Sequence, residues 1–198
     1  MGTPQNLRKS LAKAMGLLYR LYLSRLGVEC GDRLLLIGIP FIHARAGSSI
    51  KIGSGVRMAS SELGNAVGLN HRCIVRTIAQ KAIIAIGDGV QMSGATILAR
   101  EQITIEKNVF IGANCTVVDS DFHPLDPGDR VSMRNNSVLS APVHLEENVW
   151  LGMNVIVLKG VTIGRNTVVG AGSVVTRSLP PNIIAGGNPA KIIRTLEL

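Results

Sequence analysis

Between Ile105 and Val175 an aliphatic residue recurs at every sixth position, with one interruption. The members of this register are Ile105, Ile111, Val117, Leu145, Leu151, Val157, Ile163, Val169 and Val175. Three residues later, wherever the hexad is complete, stands Asn or Gly: Asn108, Asn114, Asn148, Asn154, Gly160, Asn166 and Gly172. These residue types tolerate the positive φ of a tight turn. Each hexad therefore predicts a short strand and a turn, and repetition at this period indicates a parallel β-helix.

The rest of the chain agrees with this repeat. Directly after each turn residue stands a small or β-branched residue, such as Cys115, which suits a second inward position. All eight prolines lie outside the two regular runs, where they would remove ladder hydrogen bonds. Partial hexads occur at residues 52–56 and 86–90. We therefore expect a helical lead-in over residues 1–49, a β-helix domain over 50–179 and a C-terminal extension over 180–198.

The interruption of the register is a candidate for chemistry. Val117 and Leu145 are 28 residues apart, which is not a multiple of six, so a loop over 118–142 must leave the ladder. Long loops on rigid scaffolds commonly carry catalytic groups. This loop carries His123, and histidine titrates close to neutral pH.

Composition excludes several classes of function. The formal charge of +8 would suit nucleic acid, but aromatic residues make up only 3% of the chain and no nucleic-acid module is present. Three cysteines without metal-ligand spacing indicate a reduced, cytoplasmic setting. No apolar run is long enough to span a bilayer, and the N-terminus lacks the pattern of a secretory signal.

Residues 4–26 are predicted to form a helix, capped by Thr3 and ended by Gly27. One apolar face is expected from Leu7, Leu11, Ala14, Met15, Leu18, Tyr22 and Leu26. The segment also contains five basic residues and no acidic one. Two interpretations follow: the helix packs on the solenoid, or it makes a peripheral contact with an anionic inner-membrane surface or a lipid-linked substrate.

Three motifs carry a family resemblance: the hexads, the run His123-Pro124-Leu125-Asp126-Pro127, and a tail from Val149-Trp150-Leu151-Gly152 to Gly187-Asn188-Pro189-Ala190-Lys191. Over residues 50–195 the chain resembles the hexapeptide-repeat acyltransferases, and among them the galactoside and maltose O-acetyltransferases. The resemblance implies a left-handed parallel β-helix, a homotrimer with active sites between subunits, and acetyl-CoA as acyl donor without a metal. The implied reaction is O-acetylation of a sugar hydroxyl, in a saccharide or polysaccharide precursor.

The resemblance also assigns roles to residues. His123 is the implied general base, which takes the proton of the acceptor hydroxyl, and Asp119, Asp121 or a backbone carbonyl would orient its ring. The implied coenzyme-binding residues are Gly152, Ala171, Thr176, Arg177, Lys191 and Arg194. The candidate acceptor contacts are Ser93, Asn70, His71, Trp150 and Arg130. Packing is an equal explanation for Trp150, and a buried, hydrogen-bonded ring is the alternative for His71.

Three other functions stay open at this point. The same base and groove would serve N-acylation of an amino-sugar. A γ-carbonic-anhydrase-like protein shares the β-helix but needs three histidines around a metal, and the four histidines here, His43, His71, His123 and His144, lack a closely spaced pair. A third possibility is a catalytically silent solenoid that serves for binding.

Overall fold

The computed structural model describes residues 4–132 and 137–197, and successive strands pass to three sheets in turn. Sheet I contains β1 (Glu29–Cys30), β4 (Ser49–Ile52), β7 (Ile83–Ile86), β10 (Gln102–Ile105), β13 (Val143–Leu145) and β16 (Thr162–Ile163). Sheet II contains β2 (Leu35–Ile37), β5 (Arg57–Ala59), β8 (Gln91–Ser93), β11 (Phe110–Ile111), β14 (Trp150–Leu151), β17 (Val168–Val169), β19 (Ile183–Gly187) and β20 (Ala190–Thr195). Sheet III contains β3 (Phe41–His43), β6 (Ile74–Thr77), β9 (Thr96–Ala99), β12 (Thr116–Val118), β15 (Ile156–Val157) and β18 (Val174–Val175).

Strands within a sheet pair in parallel, and among the described strands only the final pair, β19 with β20, is antiparallel. The described helices are α1 (Pro4–Arg25), α2 (Pro127–Val131) and a short 3-10 helix (Glu62–Gly64). We call the line where the chain passes from sheet II to sheet III edge II–III, and the line from sheet III to sheet I edge III–I. The segment 60–73 lies at edge II–III, and the loop between β12 and β13 lies at edge III–I. The predicted fold class, a parallel β-helix with an N-terminal helix, is confirmed.

The inward positions of the hexads form the core. All nine predicted aliphatic residues are at most 3% exposed, from Ile105 to Val175. The second inward position is also closed, with Cys115 and Val149 fully buried. Fully burying an aliphatic side chain contributes about 1.5–3 kcal/mol, so the repeated stack explains how so few aromatic residues suffice.

The turn prediction is confirmed at every position. The five asparagines of the complete hexads have φ between 57° and 62°, and Gly160 and Gly172 have φ of 75° and 71°. Asparagine and glycine are the residues that adopt this left-handed conformation at little cost. The local chemistry of each hexad therefore sets the corner of each coil.

Parallel pairing extends beyond the predicted limits of 50 and 179. It begins where Glu29 and Cys30 pair with Lys51 and Ile52, and it continues to β19, which pairs with β17. These outer coils lack complete hexads. They pair nevertheless because a ladder is made by backbone groups, and the core needs only an apolar inward residue such as Leu36, which is 1% exposed.

Helix α1 packs on the solenoid, but not by the predicted apolar face. Leu23 is fully buried, and the Tyr19 hydroxyl donates to the Pro40 carbonyl oxygen at 2.7 Å. On the predicted face, Leu18 is 68% and Tyr22 53% exposed, while Leu7 and Leu11 lie outside the described side chains. Thr3, the predicted cap, also lies outside the described residues. Within residues 4–132 and 137–197, no helix is both long and apolar enough to cross a membrane.

Gly16 sets the approach of α1 to the solenoid, because a Cβ there would overlap the carbonyl oxygen of Leu34. We expect Gly16→Val to destabilise the protein by about 1–3 kcal/mol, since the helix must move away. Urea unfolding measures the change, and trypsin cleavage reports release of the helix. Ala14→Val is the matched control because Ala14 is exposed. Equal stability of the two variants would contradict the observed packing.

Two of the three cysteines belong to the core. Cys73 and Cys115 are fully buried, and burial raises the pKa of the Cys115 thiol to about 11. Burial also raises the pKa of the half-buried Cys30 to about 11, against a smaller lowering effect of Arg20. A thiol that stays protonated at neutral pH is a poor nucleophile, so these positions serve packing.

Candidate active site

The loop over residues 119–142 leaves the solenoid through a narrow neck. Its two ends pair antiparallel at Ser120 and Ser140. The Asp121 amide donates to the Leu139 carbonyl at 3.1 Å, and the Ala141 amide donates to the Asp119 carbonyl at 3.0 Å. The neck closes the loop at its base, so the two neighbouring coils stack almost without a gap in the ladder.

Asp119 anchors the neck to the preceding coil. Its side chain is fully buried, and its two carboxylate oxygens accept the backbone N–H groups of Arg100 and Glu101, each at 2.7 Å. Burial raises the pKa of Asp119, and the hydrogen bonds from these backbone groups oppose the shift. Because both oxygens are engaged, Asp119 holds the loop in place instead of orienting the His123 ring as predicted.

Asp121 ties the neck to the coil that follows. Its Oδ1 lies 2.5 Å from Nζ of Lys159, while its Oδ2 is buried without a hydrogen-bond partner among the described residues. The neck also contacts the preceding coil, because the Ser140 hydroxyl donates to Oε2 of Glu101 at 2.8 Å. One oxygen of Asp121 is therefore engaged in an ion pair, and its orienting role toward the His123 ring stays a prediction. Sequence reasoning missed Lys159 and Glu101, because they belong to ordinary repeat turns.

A strained turn presents His123. The His123 amide donates to the Asp121 carbonyl at 2.7 Å, and Phe122 between them has φ of 62°. A three-residue turn with positive φ at its centre is rare and strained, particularly for a bulky residue. The His123 side chain is exposed, and its ring has no hydrogen-bond partner in the described part of the chain. The imidazole therefore stands at the surface, available to a ligand.

Arg130 supports the loop itself. Helix α2 is capped by Asp126, whose Oδ1 accepts the amide of Asp129 at 2.8 Å. The Arg130 guanidinium donates to the carbonyl oxygens of Pro124 and Leu125 at 3.0 and 3.1 Å. These bonds link α2 back to the residues that follow His123. Both bonds come from Nη1, so one nitrogen of Arg130 is engaged with the loop backbone, and its role as an acceptor contact stays a prediction.

The outer side of sheet II bears several of the other predicted residues. Along edge II–III, one column of outward positions follows the strand pairing and is nearly free of side chains: Ser93, Gly112, Gly152, Gly170 and Gly186. A Cβ at Gly152 would lie 2.6 Å from the Ala171 nitrogen, so coil stacking alone requires that glycine. Gly170 differs, because a Cβ there would meet nothing closer than the Ala185 carbonyl at 3.6 Å.

The predicted coenzyme residues fall on two edges. Ala171 stacks on Gly152, and Lys191 on β20 pairs with Gly186, so these residues follow edge II–III. Arg194 pairs with Ile184 on the same sheet. Thr176 and Arg177, by contrast, come directly after β18 at edge III–I, which also carries the His123 loop. Within one chain the predicted coenzyme residues therefore form two separate groups, one at each edge, which we call half-sites.

The segment 60–73 places two further predicted residues beside Ser93. The Asn114 side chain accepts the Asn70 amide at 2.9 Å, and the His71 carbonyl lies close to Gly94. His71 is exposed, with Nδ1 2.7 Å from the Arg72 carbonyl oxygen. The alternative of a buried His71 is thus wrong, because this part of the segment stands on the surface of the coil, and the chain enters the core only at Cys73.

The described residues, 4–132 and 137–197, form no candidate metal centre. In these ranges no three His, Cys, Asp or Glu side chains are grouped so as to hold a metal ion. One of the four histidines, His144, is engaged elsewhere, with Nε2 2.8 Å from Glu106 Oε1 on the outside of sheet I.

The similarity to known proteins lies in the hexapeptide repeats. The profile of the bacterial transferase hexapeptide family (six repeats) matches residues 142–177, and that of the hexapeptide repeat of succinyl-transferase matches 102–141. Galactoside O-acetyltransferase of Escherichia coli is 41% identical over 102 residues, which is 52% of this chain and 48% of that protein. The chain spans about half the length of the curated relatives it matches.

Solved structures extend the likeness over nearly the whole chain. A hexapeptide-repeat-containing acetyltransferase from Vibrio cholerae, in complex with acetyl-CoA, has a TM-score of 0.56 at 27% identity, covering 98% of this chain and 89% of that one. An N-acyltransferase from Bacillus cereus, in complex with dTDP and coenzyme A, has a TM-score of 0.66 at 21% identity, covering 90% and 89%, and shares the fold. In its repeats, its coil geometry and these matches, the chain is similar to the hexapeptide-repeat transferases, whose profiles match residues 102–177.

Proposed function

We propose that this protein is an acetyl-CoA-dependent O-acetyltransferase that acts on a sugar hydroxyl, with His123 as general base. The observation that carries the proposal is the exposed His123, held by a strained turn on a neck that both neighbouring coils anchor. A functional site retains such strain only when the surrounding structure over-determines it. The match to galactoside O-acetyltransferase supports the choice of a sugar hydroxyl.

His123 would first act on the acceptor hydroxyl and then on the leaving thiolate. Its neutral imidazole accepts the proton of the sugar hydroxyl while the hydroxyl oxygen bonds to the acetyl carbonyl carbon, and the carbon–sulfur bond of the thioester breaks. The proton then passes from the imidazole to the leaving thiolate. Acetyl-CoA, when bound, supplies the activated acyl carbon. The Lys159–Asp121 pair and Asp119 keep the loop in place, so the backbone that carries the ring is already ordered before the acceptor binds.

The glycine column fits the donor. A thioester arm needs a shallow channel without side chains, and Gly170 leaves such space although the packing does not require a glycine there. Lys191 stands at the end of the column and offers a charge for a phosphate group. Gly152 is weaker evidence for a donor channel, because the stacking of the coils already requires a glycine there.

A complete site would need two chains. His123, Thr176 and Arg177 belong to edge III–I, whereas Ser93, Gly170 and Lys191 belong to edge II–III. A neighbouring copy that brings its edge III–I against edge II–III would unite the two half-sites. We therefore propose a homotrimer, in which three such contacts close a ring.

Mixing of variants tests the shared site. His123→Ala removes the base at edge III–I, and Gly170→Trp fills the channel at edge II–III. Each variant alone is expected to be inactive, but co-expressed chains should recover about a quarter of wild-type activity, because some contacts join two intact edges. Sedimentation should give the trimer mass. Two inactive variants that stay inactive together in a mixed trimer would place the site within one chain.

The exposed face of α1 supports a peripheral contact with an anionic membrane, where a lipid-linked acceptor would be presented. Leu17, Leu18 and Leu21 are 55–68% exposed there, and exposed apolar faces of this kind mark contact sites. We expect the protein to sediment with anionic liposomes at low salt. Leu18→Ser with Leu21→Ser should abolish this, and an unchanged bound fraction would exclude the contact.

Thiol release from acetyl-CoA tests the proposed reaction. Neutral sugars, uronic acids, sugar phosphates and amino-sugars are offered as acceptors, and the product is analysed for an ester or an amide. We expect an ester. An amide would assign N-acylation, and no thiol release with any acceptor, together with no thermal shift by acetyl-CoA, would indicate a binding solenoid.

A further inference from the structure

A small cavity lies on the outer face of sheet II, near its centre. It has a volume of about 170 Å³, and Arg57, Gln91, Ser93, Phe110 and Trp150 contribute side chains to its lining. Arg57, Gln91, Phe110 and Trp150 occupy one ladder of paired positions on neighbouring strands. Ser93 stands in the adjacent column along edge II–III. The cavity thus joins the Ser93 end of this column, which is nearly free of side chains.

The polar side chains of this cavity have no hydrogen-bond partners among residues 4–132 and 137–197. Nε of Arg57 is buried without a hydrogen-bond partner, and the Gln91 amide and Ser93 hydroxyl have none among the described residues. No strand of sheet II contains aspartate or glutamate. A guanidinium that is partly removed from water and has no counter-ion on its own face is costly, and an anionic ligand would remove that cost.

The other wall is aromatic and exposed. Phe110 is 47% and Trp150 55% exposed, and they are direct neighbours in the pairing of β11 with β14. Aromatic faces pack against the C–H faces of sugar rings, while amide and hydroxyl groups bond to ring hydroxyls. Two aromatic rings, an amide, a hydroxyl and an unpaired guanidinium match one ligand class, a sugar ring that carries an anionic group.

We propose that this cavity binds a sugar bearing a carboxylate or phosphate group, with Arg57 as the anion-recognising residue. The ring packs on Trp150 and Phe110, Gln91 and Ser93 bond to its hydroxyls, and the guanidinium of Arg57 holds the anion. The identification of this sugar as the acetyl acceptor rests on the proposed function; the binding of the sugar does not.

Trp150 allows binding to be measured without catalysis, because it is the only tryptophan of the chain. Fluorescence of the full-length protein is titrated with glucuronate, galacturonate and glucose 6-phosphate, and with glucose, galactose and inorganic phosphate for comparison. At least one anionic sugar should bind about tenfold or more tightly than its neutral counterpart, the gain typical of a charged hydrogen bond. The carboxylate and phosphate arms distinguish the two anions.

Arg57→Gln should remove that gain, leaving binding of the neutral sugar unchanged. Arg76→Gln is the matched control, since Arg76 is exposed on the outer face of sheet III and loses the same charge. Thermal unfolding verifies that both variants fold. The proposal is overturned if neutral and anionic sugars bind alike, if Arg57→Gln binds the anionic sugar as tightly as wild type, or if inorganic phosphate alone binds as tightly as the sugars.

Thiol release separates this result from the proposed reaction. Acetylation of sugars by a protein whose fluorescence does not discriminate anionic sugars would refute the Arg57 site and leave the activity intact. Discrimination that Arg57→Gln abolishes, in a protein that releases no thiol, would establish the site and refute the activity. If both hold, Arg57→Gln should raise KM for the anionic acceptor about tenfold without changing KM for acetyl-CoA.

Discussion

Replacement of His123 by alanine is expected to lower the acetyl-transfer rate by about 10²- to 10⁴-fold, the range of a general base. Without the imidazole, the acceptor hydroxyl has no group positioned to take its proton as the carbon–oxygen bond forms. Stability should change little, because the side chain is exposed and makes no hydrogen bond with the described residues. Thiol release at saturating acetyl-CoA measures the rate, and thermal unfolding measures stability.

His43→Ala is the control for this substitution. His43 is also an exposed histidine, and it lies on β3 in sheet III, away from the loop. Its replacement should leave the rate within about twofold of wild type, since an exposed position remote from the site contributes little. A His123→Ala variant with near-normal turnover would remove this residue from the mechanism and, with it, the main support for the proposed reaction.

Replacement of Asp119 by alanine should impair both the stability and the activity of the protein. Two backbone N–H groups lose a buried carboxylate, and the expected loss of unfolding free energy is about 2–4 kcal/mol, measured in urea. Because the neck loses one anchor, the rate should fall by about tenfold or more while KM for acetyl-CoA changes less. Asp119→Asn retains one acceptor oxygen and should be intermediate.

A surface carboxylate offers the comparison for Asp119. Asp32 forms an ion pair with Arg20, but its side chain is 78% exposed. Such pairs contribute about 0–1 kcal/mol, so Asp32→Ala should be nearly neutral in stability and in rate. A loss at Asp119 no larger than the loss at Asp32 would mean that the neck does not depend on the buried carboxylate.

The hexads predicted the interior and the corners of the solenoid correctly because each acts over a few residues. An aliphatic residue such as Leu151 must turn inward wherever the period is six, and Asn154 adopts positive φ by its own backbone preference. The face of α1 was not predictable in this way. Gly16 brings the helix onto the solenoid by close approach, and a hydrophobicity pattern gives a glycine no weight.

In the candidate site, too, some features were predictable from local sequence and others were not. His123 was recognisable from its neighbours in the loop, whereas the partners of Asp119 and Asp121 were not, because Arg100, Glu101 and Lys159 are remote in sequence. Arg57 gave no signal either. It stands in a coil without a complete hexad, and only the stacking of β5 on β8 and β11 brings it into one cavity with Phe110 and Trp150.

The amino-acid sequence alone therefore determined the β-helix, its inward residues, its turns and the loop that carries a histidine, all properties of residues within about one hexad. Tertiary structure decided which residues hold that loop, which face of α1 is buried, and how the predicted site residues divide between two edges. The reason is physical: neighbouring coils place residues in contact that are some 16 to 40 positions apart, as Asn166 and Asn182 or Thr116 and Ile156 are. Which residues meet depends on the lengths of the coils and loops between them. A pattern within one hexad does not contain that information.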